Sequence, residues 1–174
     1  MAARTDTPPY QSYAIILGAF GGLLATAAGA SRLLDRHPAS QTTLDFAVLS
    51  AASFKAARTL ARDDVTSFIR QPFVEGQAGE GDEEPVENGG MQQAIGELVT
   101  CTRCVGTWAA AGLTSAQILA PRMGRMLTWS LAAAAVNDWL QAGFAALTAK
   151  SNELDADAAA LRELGVHQQL PEGR

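Results

Sequence analysis

The sequence is poor in the side chains that build most catalytic and metal sites. Its 174 residues include only two cysteines and two histidines, whereas a structural zinc or iron-sulfur site takes four ligands. His37 and His167 lie in polar segments far from the cysteines, so the chain predicts no metal site and no cofactor. It also lacks a nucleophile elbow, a phosphate-binding glycine loop and a metalloprotease helix. The net charge of -5 argues against nucleic acid as a partner.

Three long stretches carry at most one charged side chain each. Residues 13–31 and 105–121 carry no charged side chain, and between Met126 and Ala149 the only one is Asp138. A bilayer core about 30 Å thick is crossed by roughly 20 apolar helical residues, so these runs predict three transmembrane helices. A soluble bundle is the alternative, but the remaining chain is too short to cover three such helices. The first run is longer, and its flank less basic, than a signal peptide requires, which favours an uncleaved helix.

The runs and their boundaries predict an all-α integral membrane bundle of about four helices, three long and apolar and one short and amphipathic. The amphipathic helix spans Leu44 to about Arg62 and is capped by Thr42 or Thr43. Another begins near Met91 and carries both cysteines in its early turns. Pro121 and Gly124 then predict a tight turn into the last helix, so that the final two form an antiparallel hairpin.

Polar segments divide the chain around this membrane domain of residues 13–150. Residues 1–12 are polar and contain proline, which predicts a disordered N-terminal segment. Residues 76–90 combine glycine with acidic side chains and contain no lysine or arginine, which predicts a disordered, solvated linker. Residues 151–174 predict a polar, partly helical tail with a weak amphipathic pattern.

The basic residues near the membrane ends predict the orientation. If both termini are cytoplasmic and the amphipathic helix spans, six basic residues lie inside (Arg4, Arg58, Arg62, Arg70, Arg103 and Lys150) against four outside (Arg32, Arg36, Arg122 and Arg125). A flat amphipathic helix would instead put one terminus outside. We therefore expect a multi-pass protein of the cell inner membrane with both termini in the cytoplasm.

The two cysteines, Cys101 and Cys104, have the spacing of a redox pair. Residues three apart on a helix point to one face, and a helix start lowers the pKa of a thiol. A cytosolic pair is expected to rest reduced. The alternative is tight packing, since Gly106 is also small and Trp108 is a natural interface anchor.

A charged side chain inside a membrane must pair, protonate or face water. Asp138 lies near the middle of the last apolar run, and the available partners are Lys55, Arg58 and Glu97. We predict that Asp138 contacts Lys55 or Arg58 and fixes the register of two helices. A proton or ion pathway is the alternative, although no array of charges supports it.

Three stretches of the chain carry a family resemblance. SFKAARTLARDDVTSFIRQPF is similar to a pattern that ends in Arg-x-Pro-Phe, GELVTCTRCVGTW is similar to Gly-x-Leu-Leu-x-Cys-x-x-Cys-x-x-x-Trp, and an alanine-rich hairpin helix follows. From Leu44 to Ala149 the chain thus resembles the bacterial membrane proteins catalogued as domain of unknown function 1360. The resemblance implies a small inner-membrane protein and no assigned activity. Lys55 departs from the arginine more often found there, and the N-terminal helix is additional.

Two function classes follow from these observations. The first is a membrane protein that binds the bilayer and other membrane proteins, or its own copies, in a structural role. The second is a thiol-dependent redox protein that uses Cys101 and Cys104. The absence of other catalytic motifs favours the first class and a protein that is not an enzyme.

Overall fold

The computed structural model describes residues 8–36, 42–76, 79 and 83–169, with side chains as far as Arg162. These residues form α1 (Tyr10–Leu33), α2 (Thr43–Arg62), α3 (Ser67–Arg70), α4 (Met91–Thr100), α5 (Thr102–Leu119) and α6 (Pro121–Gln169). Strands β1 (Val74–Glu75) and β2 (Glu84–Pro85) pair antiparallel, with Val74 opposite Pro85. The all-α class is confirmed. The chain divides into two compact units, one ending at Ala135 and the other beginning at Val136.

Helix α2 begins at a capping box. The Thr42 hydroxyl accepts the Asp45 N–H at 3.2 Å, and the Asp45 carboxylate accepts the Thr42 N–H at 3.0 Å. This exchange satisfies backbone donors that a helix start otherwise leaves without partners. The predicted start of the helix and one of its two predicted caps are therefore observed.

Small side chains hold the first unit together. Ala52, Ala57 and Ala61 are buried along α2, and a side-chain carbon built on Gly106 of α5 would lie 3.7 Å from Ala57. Side chains of this size let helix backbones approach closely and gain dispersion contacts. Ala52 also packs with Leu113 of α5 and Ala132 of α6.

Helices α5 and α6 turn sharply into one another. Gly124 has no room for a side chain, because a Cβ there would meet the backbone of Ala116 and Gln117. Gln117 Nε2 also donates to the buried Thr128 hydroxyl at 2.8 Å. The start of α6 therefore lies against the end of α5, as Pro121 and Gly124 predict.

Two predicted boundaries differ from the structure. The helix expected to carry both cysteines is two helices, because the backbone is extended at Cys101 between α4 and α5. The last helix continues beyond residue 150 to Gln169, since Ser151 and the residues after it include good helix formers and no proline before Pro171.

Helix α1 differs from the other described helices in length and hydropathy. Among the residues that the structure describes, it is the helix long and apolar enough to cross a membrane, at 24 residues and a mean hydropathy of 1.7. Helix α5 has 18 residues and begins with Thr102 and Arg103, and the apolar run of α6 is interrupted at Asn137 and Asp138. One of the three predicted spans thus meets the requirement by composition and length.

Candidate functional site at the junction of α4 and α5

The chain breaks its helix at the first cysteine. Cys101 has φ -90° and ψ 101°, and its sulfur accepts the backbone N–H of Cys104 at 3.3 Å. Its carbonyl accepts the Val105 N–H at 3.0 Å. Cys101 is therefore the N-cap of α5, in the role that serine or aspartate usually takes. The flanking Thr100 and Thr102 favour such a break, because β-branched residues are stiff in helices.

The two thiols differ in acidity. A hydrogen bond from the Cys104 thiol, together with the backbone N–H groups at the start of α5 and the charge of Arg103, lowers the pKa of Cys101. Desolvation and the hydrogen bond to Cys101 raise the pKa of Cys104 to about 11. Both cysteines are free, Cys101 half-buried and Cys104 exposed. The thiolate, which is the reactive form of a cysteine, is therefore favoured at Cys101 over Cys104.

A cavity of about 450 Å³ lies beside Cys104, between α1, α4 and α5. Glu97 lines it and accepts hydrogen bonds from the Tyr13 hydroxyl and, at 2.9 Å, from Gln93 Nε2. Apart from this polar group the lining is mostly apolar. Glu97 and Cys104 therefore line the same cavity.

Two aromatic side chains in contact with each other line this cavity. The rings of Phe20 and Trp108 meet edge to face with centroids 5.0 Å apart, and both side chains also line a second apolar cavity of about 330 Å³ that continues between α1 and α5. Trp108 is therefore an anchor between two helices, which agrees with the packing interpretation of the motif.

The basic side chains of α2 lie elsewhere. Lys55 Nζ is 3.8 Å from the Asp63 carboxylate at the end of the same helix. Arg58 and Arg103 line a cavity of about 770 Å³ between α2 and α5. Asp138 belongs to the second unit, and its pairing with Lys55 or Arg58 stays a prediction.

A buried ion pair, which sequence reasoning missed, closes the segment after α2. Arg70 is fully buried, and its Nε and Nη2 each donate to Glu83 at 2.8 Å. Its Nη1 donates to the carbonyls of Leu60 and Asp63 at 2.9 and 3.1 Å and to the Thr66 hydroxyl at 3.0 Å. Arg70 therefore caps the C-terminal end of α2 while it holds Glu83.

Glu83 lies within the predicted acidic linker of residues 76–90 and is buried. Its side chain is 4% exposed, and the hydrogen bonds from Arg70 lower its pKa. Glu84 and Pro85 follow as β2. Gly96 of α4 packs against this ribbon so closely that a Cβ would meet the Phe73 carbonyl. The end of the linker is thus part of the folded unit, because Arg70 supplies a charge that composition alone does not reveal.

The described side chains hold no group of three or more histidine, cysteine, aspartate or glutamate residues placed to bind a metal ion. The chemistry available at this junction is that of a dithiol next to an apolar cavity.

Comparison with known proteins places the chain in a family. The model of the family "Protein of unknown function (DUF1360)" matches residues 48–144. The chain belongs to this family. Similar proteins in Bacillus subtilis (strain 168) are "Sporulation protein YjcA", 31% identical over 56% of this chain and 95% of that protein, and "UPF0713 protein YngL", 30% identical over 52% and 71%. No solved structure matches the chain significantly.

The range matched to the DUF1360 family contains the features described above. It begins within α2 and ends within α6, and it includes Arg70, Glu83 and both cysteines. Helix α1 and the part of α6 after Phe144 lie outside it. The candidate site therefore has two parts. Helices α4 and α5 lie within the range matched to the family, and α1 lies outside it.

Proposed function

We propose that this protein is a small multi-pass protein of the bacterial inner membrane, and that it binds other membrane proteins in a structural role. The exposure of α1 carries the membrane-anchoring part of the proposal. Ile15, Leu17 and Leu23 are each at least 60% exposed on a helix that has no charge before Arg32. A bilayer covers such a surface, whereas water leaves it as an apolar patch of a size that monomeric soluble proteins rarely expose. The cavities between α1 and α5 leave room for a partner's side chains.

Fractionation tests the anchoring part of this proposal. The protein expressed in bacteria is expected to stay with the membranes through alkaline carbonate and high salt and to dissolve in detergent. Intact mass should show that α1 is retained. Release by carbonate, or a mature chain without residues 10–33, would contradict the proposal.

Labelling of introduced cysteines tests the topology. Positions in residues 76–90 and after residue 151 are expected to react from the cytoplasmic side, and positions in the turn at Arg122 from the outside. The two native cysteines are replaced by serine in this experiment. Reaction of the first two segments from opposite sides would contradict a bundle with both termini inside.

Thiol–disulfide exchange is a second candidate function, favoured by the unequal acidity of the cysteine pair. The Cys101 thiolate attacks a disulfide of a partner protein, forming a mixed disulfide and releasing one partner thiolate. That thiolate takes the proton of Cys104. The Cys104 thiolate then attacks the Cys101 sulfur, which forms the Cys101–Cys104 disulfide and releases the second partner sulfur as a thiolate. Two electrons thus pass from the dithiol to the partner's disulfide.

Alkylation of the reduced native protein tests this candidate. Cys104 is the more exposed thiol, so access alone predicts that it reacts first with iodoacetamide. The pKa order predicts the reverse at pH 7 to 8, with Cys101 labelled well before Cys104 in peptide mass spectra. Faster labelling of Cys104 would remove the basis for exchange chemistry at this pair.

A further inference from the structure

From Leu140 to Leu161, helix α6 carries a leucine at every seventh position. Leu140, Leu147, Leu154 and Leu161 are between 56% and 73% exposed. Seven residues are close to two helical turns, so side chains at this spacing form one narrow stripe along the helix. Phe144, four residues after the first leucine, is 73% exposed beside them. A stripe this narrow is typical of a coiled-coil seam rather than of a helix covered by a globular core.

The residues between the leucines complete the heptad pattern. With the leucines at the d positions, Phe144, Ser151 and Ala158 occupy the a positions. The outward f positions are Ala142, Ala149 and Ala156, which are small, exposed and favourable in helices. All of these residues lie in the second compact unit. The seam from Leu140 to Leu161 spans about 30 Å at 1.5 Å per residue.

Charges flank the seam in a complementary order. Lys150 and Asp157 occupy g positions, and Asp155 and Arg162 occupy e positions. In a parallel two-stranded coiled coil a g residue meets the e residue five positions later on the other helix. Lys150 then faces Asp155 of the second copy. Asp157 likewise faces Arg162, so both kinds of contact join opposite charges.

Lys150 already has a partner within its own helix. Its ammonium lies 2.9 Å from the Glu153 carboxylate, and both side chains are more than 60% exposed. An exposed pair of this kind contributes little to stability, so it does not hold Lys150 away from a second helix. The four flanking charges also lie after Ala149, where the last apolar run ends.

We propose that residues 140–162 bind the same segment of a second copy of this chain as a parallel, in-register coiled coil. The four leucines and Phe144 form its seam, and the charges at positions 150, 155, 157 and 162 select the partner and its direction. The proposal rests on residues of the second unit. Leu140, Phe144 and Leu147 belong to the last apolar run, and Leu154, Leu161 and the four charges follow it.

The first test is the mass of the full-length chain in detergent micelles, measured by light scattering with the detergent contribution subtracted. The native chain is expected at twice its 18.2 kDa mass, and Leu147→Asp with Leu154→Asp at the single mass. The matched control places the same two charges on the outer face, as Ala149→Asp with Ala156→Asp, and is expected to stay dimeric. A monomeric native chain, or equal loss in both variants, would overturn the proposal.

Charge reversal tests the flanks. The variant with Lys150→Glu and Arg162→Glu carries acidic residues at all four flanking positions. The variant with Asp155→Lys and Asp157→Lys carries basic residues at all four. Each variant alone is expected to self-associate at least about tenfold more weakly, because every flanking contact becomes repulsive. An equal mixture is expected to form heterodimers. A mixture that pairs at random would show that these charges do not meet.

Cross-linking tests the direction. In a chain with Cys101 and Cys104 changed to serine, Leu140→Cys alone and Leu161→Cys alone are each expected to form disulfide-linked dimers, since parallel helices bring like positions together. A disulfide that forms only when the two variants are mixed would show an antiparallel pair and overturn the proposal.

Discussion

The two compact units of this chain cover their apolar surface in different ways. In the first, small side chains such as Ala52 and Ala57 are buried between helices, and Arg70 and Glu83 are buried as a pair. In the second, the leucines of α6 are exposed, and its described ion pair, Lys150 with Glu153, lies in solvent. The part of the first unit around α2 therefore contains the contacts that stabilise it, whereas the apolar stripe of the second unit, like the exposed side chains of α1, needs another surface.

The largest effect is expected from breaking the buried ion pair. Arg70→Met leaves the Glu83 carboxylate buried without its partner and removes the donor to the Leu60 carbonyl, so the free energy of unfolding should fall by about 3–5 kcal/mol. Denaturant-induced unfolding in detergent, followed by circular dichroism, measures it.

The second unit supplies the matched control, because Lys150 and Glu153 are as close in space as Arg70 and Glu83. Glu153→Gln should cost less than about 0.5 kcal/mol, since the pair is exposed and Glu153 is not one of the charges that flank the seam. Similar losses in the two variants would contradict the difference between the units.

The same ion pair predicts how stability depends on pH. The folded pKa of Glu83 lies below its unfolded value, so its stabilisation is complete above an unfolded pKa of about 4.3 and is lost as the pH falls through the folded pKa. Unfolding measured between pH 6 and 3 should therefore show a steep loss in the native chain and a shallower one in Glu83→Gln. Glu153→Gln is the control and should leave the slope unchanged. Equal slopes for the native chain and Glu83→Gln would show that the buried pair does not control acid stability.

A smaller effect is expected from the close contact at Gly96. Gly96→Ala should lower the free energy of unfolding by about 1–3 kcal/mol, because the new Cβ meets the Phe73 carbonyl and the backbone must shift. Gly112 in α5 has no atom within 4 Å of its Cβ position, so Gly112→Ala should instead stabilise by up to about 1 kcal/mol. Thermal unfolding of both variants measures the difference in sign. A stabilising alanine at position 96 would mean that α4 is not packed tightly on the ribbon.

Local signals in the sequence predict local features well. Thr42 with Asp45 predicts a cap, and Pro121 with Gly124 predicts a turn, because each depends on residues only a few positions apart. The role of Cys101 as a helix cap is harder to predict, since a sulfur rarely replaces the oxygen of a capping side chain. The pairing of Arg70 with Glu83 joins residues 13 positions apart, and the acidic composition around Glu83 indicates solvation rather than burial.

The leucine repeat shows how a boundary can hide a pattern. The apolar run ends at Ala149, so a prediction based on hydropathy separates Leu140 and Leu147 from Leu154 and Leu161. Each half alone is weakly amphipathic. Only the continuous helix from Pro121 to Gln169 brings the four leucines into one stripe.

Hydrogen exchange of the full-length chain in detergent tests the difference between the two units most directly. Amides of residues 140–162 are expected to be protected in the native chain and to exchange rapidly in the variant with Leu147→Asp and Leu154→Asp. Amides of α2 and α5 should keep the same protection in both, because the contacts of the first unit are internal. Unchanged protection of residues 140–162 in the variant, or a loss that extends through α2 and α5, would contradict this account.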